Sequence, residues 1–261
     1  MVFGWFKKRR RRRIIDKPFP NAWVRILEEN FAYWRYLDDR EQTALQHIVH
    51  VLVEEKNWEG CGGVEMSDEI RVTIAAQAAL LLLEIDHDYY ANVDSILVYP
   101  SAYLLPRTSS AGGGAVTEES VPVLGSARMG GPVILSWDSV RGSGRNERDG
   151  RNVVYHEFAH KLDMLDGMVD GTPVMVDDEE FREWVQVMTR EYDELCESAR
   201  LGRKSLLDDY GATNVGEFFA VATEAFFEKP VEMKQGHPAL YGVLQDFYGQ
   251  DPAARVGDQE Q

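Results

Sequence analysis

A helix-rich α+β fold, with one small mixed sheet lying over a helix that carries metal-ligand residues, is the architecture this sequence predicts. Three observations lead to it. Residues 152–167, NVVYHEFAHKLDMLDG, carry apolar side chains at helical spacing, with His156 and His160 four positions apart, Asn152 suited to cap the start and Gly167 to end it. Apolar patterns of helical period fill most of the remaining chain. Strand-like runs are few, short and gathered between about 95 and 137.

With 261 residues and 44% apolar content the chain can build a substantial core, and a soluble globular protein is expected. One domain is expected over 21–252, preceded by a basic arm at 1–20 and followed by a polar tail at 253–261. The net charge of −16 hides an asymmetry: Lys7, Lys8 and the arginines at 9–13 carry seven positive charges, and without them the remainder sums to −23. An acidic body argues against nucleic acid as a direct partner. Phe3, Trp5 and Phe6 ahead of the basic run leave two readings of the arm, a weak hold on an anionic membrane surface or, as expected, a disordered solvated tail. Only Ile14 and Ile15 follow the charges before Asp16, which makes no signal peptide, and no apolar stretch reaches spanning length. Stable membrane insertion is therefore not expected. Cys61 and Cys196 offer at most one bridge and no metal-ligand spacing, which fits reduced thiols and a cytoplasmic location.

In chain order, the apolar pattern from Trp23 to Trp58 is helical, and Asp38 with Glu41 has the spacing of a capping box opening a helix through Ala44, Ile48 and Val53. Cys61, Gly62 and Gly63 break it. Ser67 then caps IRVTIAAQAALLLLEI, apolar most of the way round and so expected to be central. His47, His50 and His87 lie on or after these scaffold helices and read as packing or surface residues. Residues 95–104 read as a strand, 109–115 as a loop, and 121–126 with 132–137 as a strand pair turning near Gly130 and Gly131. The stretch 133–137 immediately precedes the histidine helix, so it is either an ordinary core strand or an edge to which a peptide adds as a further strand. Residues 141–150 read as a polar linker and 169–175 as a loop. A long amphipathic helix follows over 177–200, with acidic residues in its first turn offsetting the helix dipole. A helix over about 238–248 closes the core, and Gly249 onward is a polar tail.

The chemistry follows from the four-residue step. On a helix it puts the His156 and His160 imidazoles on one face, where both can grip one zinc ion. Glu157, about 100° round the helix, is poorly placed as a ligand and well placed to act as general base towards water activated by the metal. Attack of that water on a carbonyl is peptide or amide hydrolysis. The plainer alternative is a surface helix with two solvated histidines.

Two histidines leave zinc short of a third protein ligand. Asp166 stands six residues beyond His160, but an extended motif of that kind needs glycine where this chain has Asp163. Glu217 stands in the first turn of a helix capped by Asn214, a spacing that equally suits a capping box. Glu224 lies two turns later on the same face, and suits either a ligand or a carboxylate that accepts the second N–H of a ligating imidazole. Local sequence leaves the three open.

HEFAHKLDMLDG followed by DDYGATNVGEFFAVATEAFF resembles the Mlc titration factor A family of bacterial zinc peptidases, over about 23–252. Their catalytic core in turn resembles that of anthrax lethal factor. The resemblance implies a zincin-like metallopeptidase core with one zinc held by His156, His160 and Glu217, Glu157 as base, and Tyr210, seven residues before Glu217, supporting the oxyanion. A packed core tyrosine is the competing reading of Tyr210. Where lethal factor has a glutamate four residues beyond its third ligand this chain has Val221, and the Arg-rich start departs from the family pattern. The resemblance further implies aminopeptidase-like activity on a peptide or protein substrate and binding of a transcriptional repressor of sugar-uptake genes. A non-catalytic regulator that sequesters a transcription factor is the rival from another class, and Glu157 separates the two, since a structural site needs no base beside it. An amidase acting on non-peptide substrates would use the same metal chemistry.

Overall fold

Several helix starts follow a side chain that caps them. The computed structural model describes residues 2–111, 115–123, 125–127, 129–146, 148–175 and 177–259, with side chains at 5–102, 125–127, 129–146, 148–175 and 177–257. After α1 (Val2–Ile15), α2 (Asn21–Asn30) and a 3-10 turn over Ala32–Tyr36, α3 (Asp39–Glu55) opens on the expected box. The Asp38 carboxylate accepts from the Glu41 amide, and Glu41 accepts from the Asp38 amide. Strand β1 (Asn57–Gly60) follows, then α4 (Asp68–Leu80), where Ser67 accepts from the Ile70 amide. Every residue of α4 from Val72 to Leu80 is buried, as expected of a helix apolar nearly all round.

Next come β2 (Ser95–Tyr99), β3 (Tyr103–Ala111), β4 (Ala115–Val123), β5 (Gly125–Ala127), β6 (Val133–Ser136) and α5 (Trp137–Arg145). β1, β2 and β6 run parallel and β5 pairs antiparallel to β6, in the spatial order β1-β2-β6-β5. β3 and β4 form a separate antiparallel hairpin. The rest is helical: α6 (Val153–Asp163), α7 (Asp178–Arg200), α8 (Val215–Glu228), α9 (Pro230–Gly236), α10 (Pro238–Tyr248) and α11 (Pro252–Gln259). The core runs between α4, α6 and α8, where Phe158, Phe218, Phe219 and Phe226 are almost fully buried, and is closed by Trp184 of α7 and Tyr248 of α10. The architecture is the helix-rich α+β one expected, with a small mixed sheet.

Several local expectations are corrected. Residues 2–15 form a helix rather than a disordered tail, because Arg11 is buried against the body: it pairs with Glu55 at 2.9 Å and with Asp88. The tail expected over 253–261 is likewise helical as far as Gln259, as α11, anchored by Arg255 on Glu41 and packed through Ala253 and Val256, while 260–261 lie outside the described residues. The helical pattern expected up to Trp58 stops at Glu55 and gives way to β1, whose pairing with β2 outweighs the local periodicity. Ser109, Ser110 and Ala111, expected in a loop, pair with Thr117, Val116 and Ala115, while 112–114 lie outside the described residues. The expected strand at 121–126 is split between β4 and β5. The first half of the 141–150 linker is helical, as the end of α5. A Cβ on Gly144 would stand 2.4 Å from the Asn30 carbonyl, so glycine lets α5 pack. Finally, β6 is an interior strand flanked by β2 and β5, so the peptide-accepting edge cannot be 133–137. β5 holds the edge of the sheet beside α6.

Candidate metal centre

The site is built where α6 and α8 cross. Asn152 starts α6 by accepting from the Val154 and Tyr155 amides at 3.0 Å each, while its own amide donates to Glu224 of α8 at 2.5 Å and its side chain to Glu228 at 3.2 Å. One residue thus caps one helix and ties it to the other. The next turns of α6 present His156 and His160 with ring centroids 4.9 Å apart. Asn214 caps α8 by accepting from the Glu217 amide at 3.0 Å. The Glu217 side chain instead turns to the histidines.

Glu217 Oε2 lies 3.0 Å from His156 Nε2 and 3.2 Å from His160 Nε2, and one ligand atom from each of the three residues lies within 4.8 Å of the others. Among the described residues no other histidine, cysteine and carboxylate group converges in this way. On its far side, His156 Nδ1 meets Glu224 Oε1 at 2.7 Å. Donation of the Nδ1 proton to that carboxylate leaves Nε2 as a lone pair facing Glu217. Such a lone pair against a carboxylate oxygen is repelled unless cationic charge stands between them, so the donor set of two imidazoles and one carboxylate fits a divalent metal with nitrogen and oxygen preferences, zinc among them.

The electrostatics likewise favour positive charge at this point, carried by a metal or by protons on the imidazoles. Burial alone would raise the Glu217 carboxyl, but its bonds to His156 and His160 outweigh this and hold it well below its ordinary value. Burial would lower His156, yet the bonds to Glu217 and Glu224 hold it well above its ordinary value. Glu157 behaves differently: burial pushes it up to about 7, against the pull of His156 and His160 and with Glu217 and Glu224 adding. It is 5% exposed, next to the ligand cluster, and roofed by β5. A Cβ on Gly125 would stand 2.5 Å from Glu157 Oε1 and 2.7 Å from Val153 Cγ2. Only glycine lets the strand pass so close to that carboxylate.

Tyr210 is no core residue. It is 49% exposed on the 3-10 turn Asp209–Thr213, its hydroxyl donates to Glu217 Oε1 at 3.4 Å, and its ring centroid lies 6.0 Å from that of His156. Asp166 stays away from the cluster, exposed in a turn where it accepts from the Met168 amide at 2.8 Å. Val221 is an ordinary core residue, and the carboxylate on His156 is Glu224, three positions further on.

Sequence reasoning passed over Gly125, Asn152 as a tie between helices, and Lys161. Lys161 is fully buried, and its ammonium donates to the Gly131 carbonyl at 2.9 Å, in the turn between β5 and β6. A lone glycine inside a strand pattern was the available signal for Gly125, since it marks close approach of another group. A lysine one residue after HExxH carried no such signal.

A family model described as glucose-regulated metallo-peptidase M90 matches residues 5–249. An uncharacterized protein of Synechocystis sp. is 35% identical over 244 residues, covering 93% of this chain and 89% of its own. Proteins named Mlc titration factor A from Serratia proteamaculans and Edwardsiella ictaluri are 30% and 31% identical, each alignment covering 84% of both chains.

Proposed function

The chain belongs to the glucose-regulated metallo-peptidase M90 family, and on that premise we propose that it is a zinc-dependent peptidase with His156, His160 and Glu217 as ligands. The observation that carries this reading is the convergence of two imidazole nitrogens on one Glu217 oxygen, with the buried Glu157 carboxyl alongside. Bound there, zinc supplies Lewis-acid chemistry, polarising the scissile carbonyl and acidifying water. The residues of the chain do the rest. Glu157 takes the proton of the attacking water and passes it to the leaving amine, a double task suited to a carboxyl whose burial moves it towards neutrality. Glu224 and Asn152 fix the His156 ring. Tyr210 swings its hydroxyl from Glu217 to the developing oxyanion. β5 keeps bulk water from Glu157.

Aminopeptidase-like specificity, a cytoplasmic setting and binding of a sugar-responsive repressor are extensions of the same proposal. The relatives named Mlc titration factor A support the partner, and two free cysteines support the setting. A sequestering protein with a purely structural metal has no use for Glu157, which favours catalysis.

The test is zinc content beside peptide hydrolysis for wild type, Glu217→Ala and Glu157→Gln. Expected are one zinc per chain in wild type, loss of zinc in the first variant, and retained zinc in the second with hydrolysis lower by about 10²–10⁴-fold. Wild type that takes up no zinc, or an active Glu157→Gln, would sink the reading.

A further inference from the structure

The proposed chemistry leaves α1 unused, although it concentrates positive charge on an otherwise acidic chain. Its two faces do different things. Arg11, 7% exposed, pairs with Glu55 and Asp88 and lies 4.4 Å from the centroid of the Tyr89 ring; Lys7 reaches Asp88 at 2.7 Å, and Ile14 is buried beside them. These residues clamp the helix to the body. At about 100° per residue, Trp5, Arg9 and Arg13 project from the side away from Arg11 and Ile14, and all three are exposed. Trp5 and Phe6 are 57% and 58% exposed, packed edge to face at 5.1 Å, and the Arg9 guanidinium stands 5.3 Å over the indole.

We propose that α1 is a preformed docking element for the surface of an anionic phospholipid bilayer, with its outward arginines on headgroup phosphates, Trp5 and Phe6 in the interface, and no segment crossing. Polybasic charge and interfacial aromatics are each weak anchors, and their combination on one helix gives the two signals that peripheral attachment needs. Because Arg11 and Lys7 already hold the helix against α3 and Asp88, no folding cost falls on binding. A nucleic acid would call for open aromatic faces on which bases stack. Here the Trp5 face is covered by Arg9 and Phe6 meets it at an interplanar angle of 76°, a wedge rather than a platform.

Co-sedimentation of the full chain with phosphatidylcholine vesicles, with and without phosphatidylglycerol, tests this and needs no peptidase activity. Binding is expected only with the anionic lipid and is expected to fall as salt rises. Arg9→Glu/Arg13→Glu should lower the bound fraction at least about tenfold, and Trp5→Ala/Phe6→Ala several-fold, with the remainder then lost to salt. All four positions are on the outward surface and Arg11 is untouched, so circular dichroism should match wild type. No partition onto anionic vesicles, equal partition onto neutral ones, or full partition of the charge-reversed variant would overturn the proposal. So would an oligonucleotide held more tightly than the anionic vesicles at the same salt.

Discussion

The crossing of α6 with α8 and the two ends of the chain are fastened by opposite means. At the crossing, buried aromatics pack tightly and a seam of polar groups from Asn152 to Glu217 is joined inside them. At the ends, α1 and α11 are each centred on one arginine with little packing beside it: Arg11 on Glu55 and Asp88, Arg255 on Glu41 with Tyr33 and Gln250 near its guanidinium. The first arrangement resists local opening and fixes reacting groups; the second leaves elements that can detach without loss of the core. Substitutions at the crossing should therefore cost chemistry at little cost in folding, and substitutions at the anchors the reverse.

The largest effect is expected from Gly125→Ala, whose new methyl drives against Glu157: zinc retained and peptide hydrolysis down by on the order of 10²-fold. Hydrolysis at the wild-type rate would remove the roof of β5 from the argument. Glu224→Gln keeps the shape and drops the charge on His156, so zinc affinity by competitive chelation should fall about 10–100-fold with an unchanged melting curve. Arg255→Ala strips a partly buried pair and should lower unfolding free energy by about 2–3 kcal/mol, with hydrogen exchange rising first in α11 and zinc content constant. If zinc were lost with it, the two regions would not be independent.

The smallest effect is a matter of pH. Asp251 accepts from Tyr241 at 2.5 Å, from Lys234 at 3.0 Å and from the Ala254 amide at 3.1 Å; burial opposes its ionisation, but these bonds hold it below its ordinary 3.8. A carboxyl depressed in the folded state binds more protons when unfolded, so its stabilisation is present above pH 3.8 and is lost as pH falls through the folded value. Asp251→Asn should cost about 1 kcal/mol at neutral pH. The gap from wild type in denaturant titrations should then narrow as pH drops below about 4.

The same division governs what could be read from sequence. The histidine helix was legible because its period, cap and four-residue step are all local. Asn214 and Glu217 were legible but double-valued, and both readings hold in part: the Glu217 amide takes the cap while its carboxylate joins the histidines. α1 was illegible because the partners of Arg11 lie 44 and 77 residues away, and those of Arg255 up to 222 away, so the charges looked solvated. Strand order was hidden for a similar reason. Nothing local to 133–137 says that 125–127 will cover its outer side, whereas cross-strand pairing does.

Lys161 ties α6 to the turn between β5 and β6, and the Asp163 carboxylate at the end of the same helix takes the Thr172 amide at 2.9 Å. Helix, strand pair and following loop therefore move as one piece, and Glu157 rides on it. Tyr210 rests half-exposed on Glu217 outside that piece, so in the proposed peptidase the approach of a substrate and the support of its oxyanion would fall to one short turn.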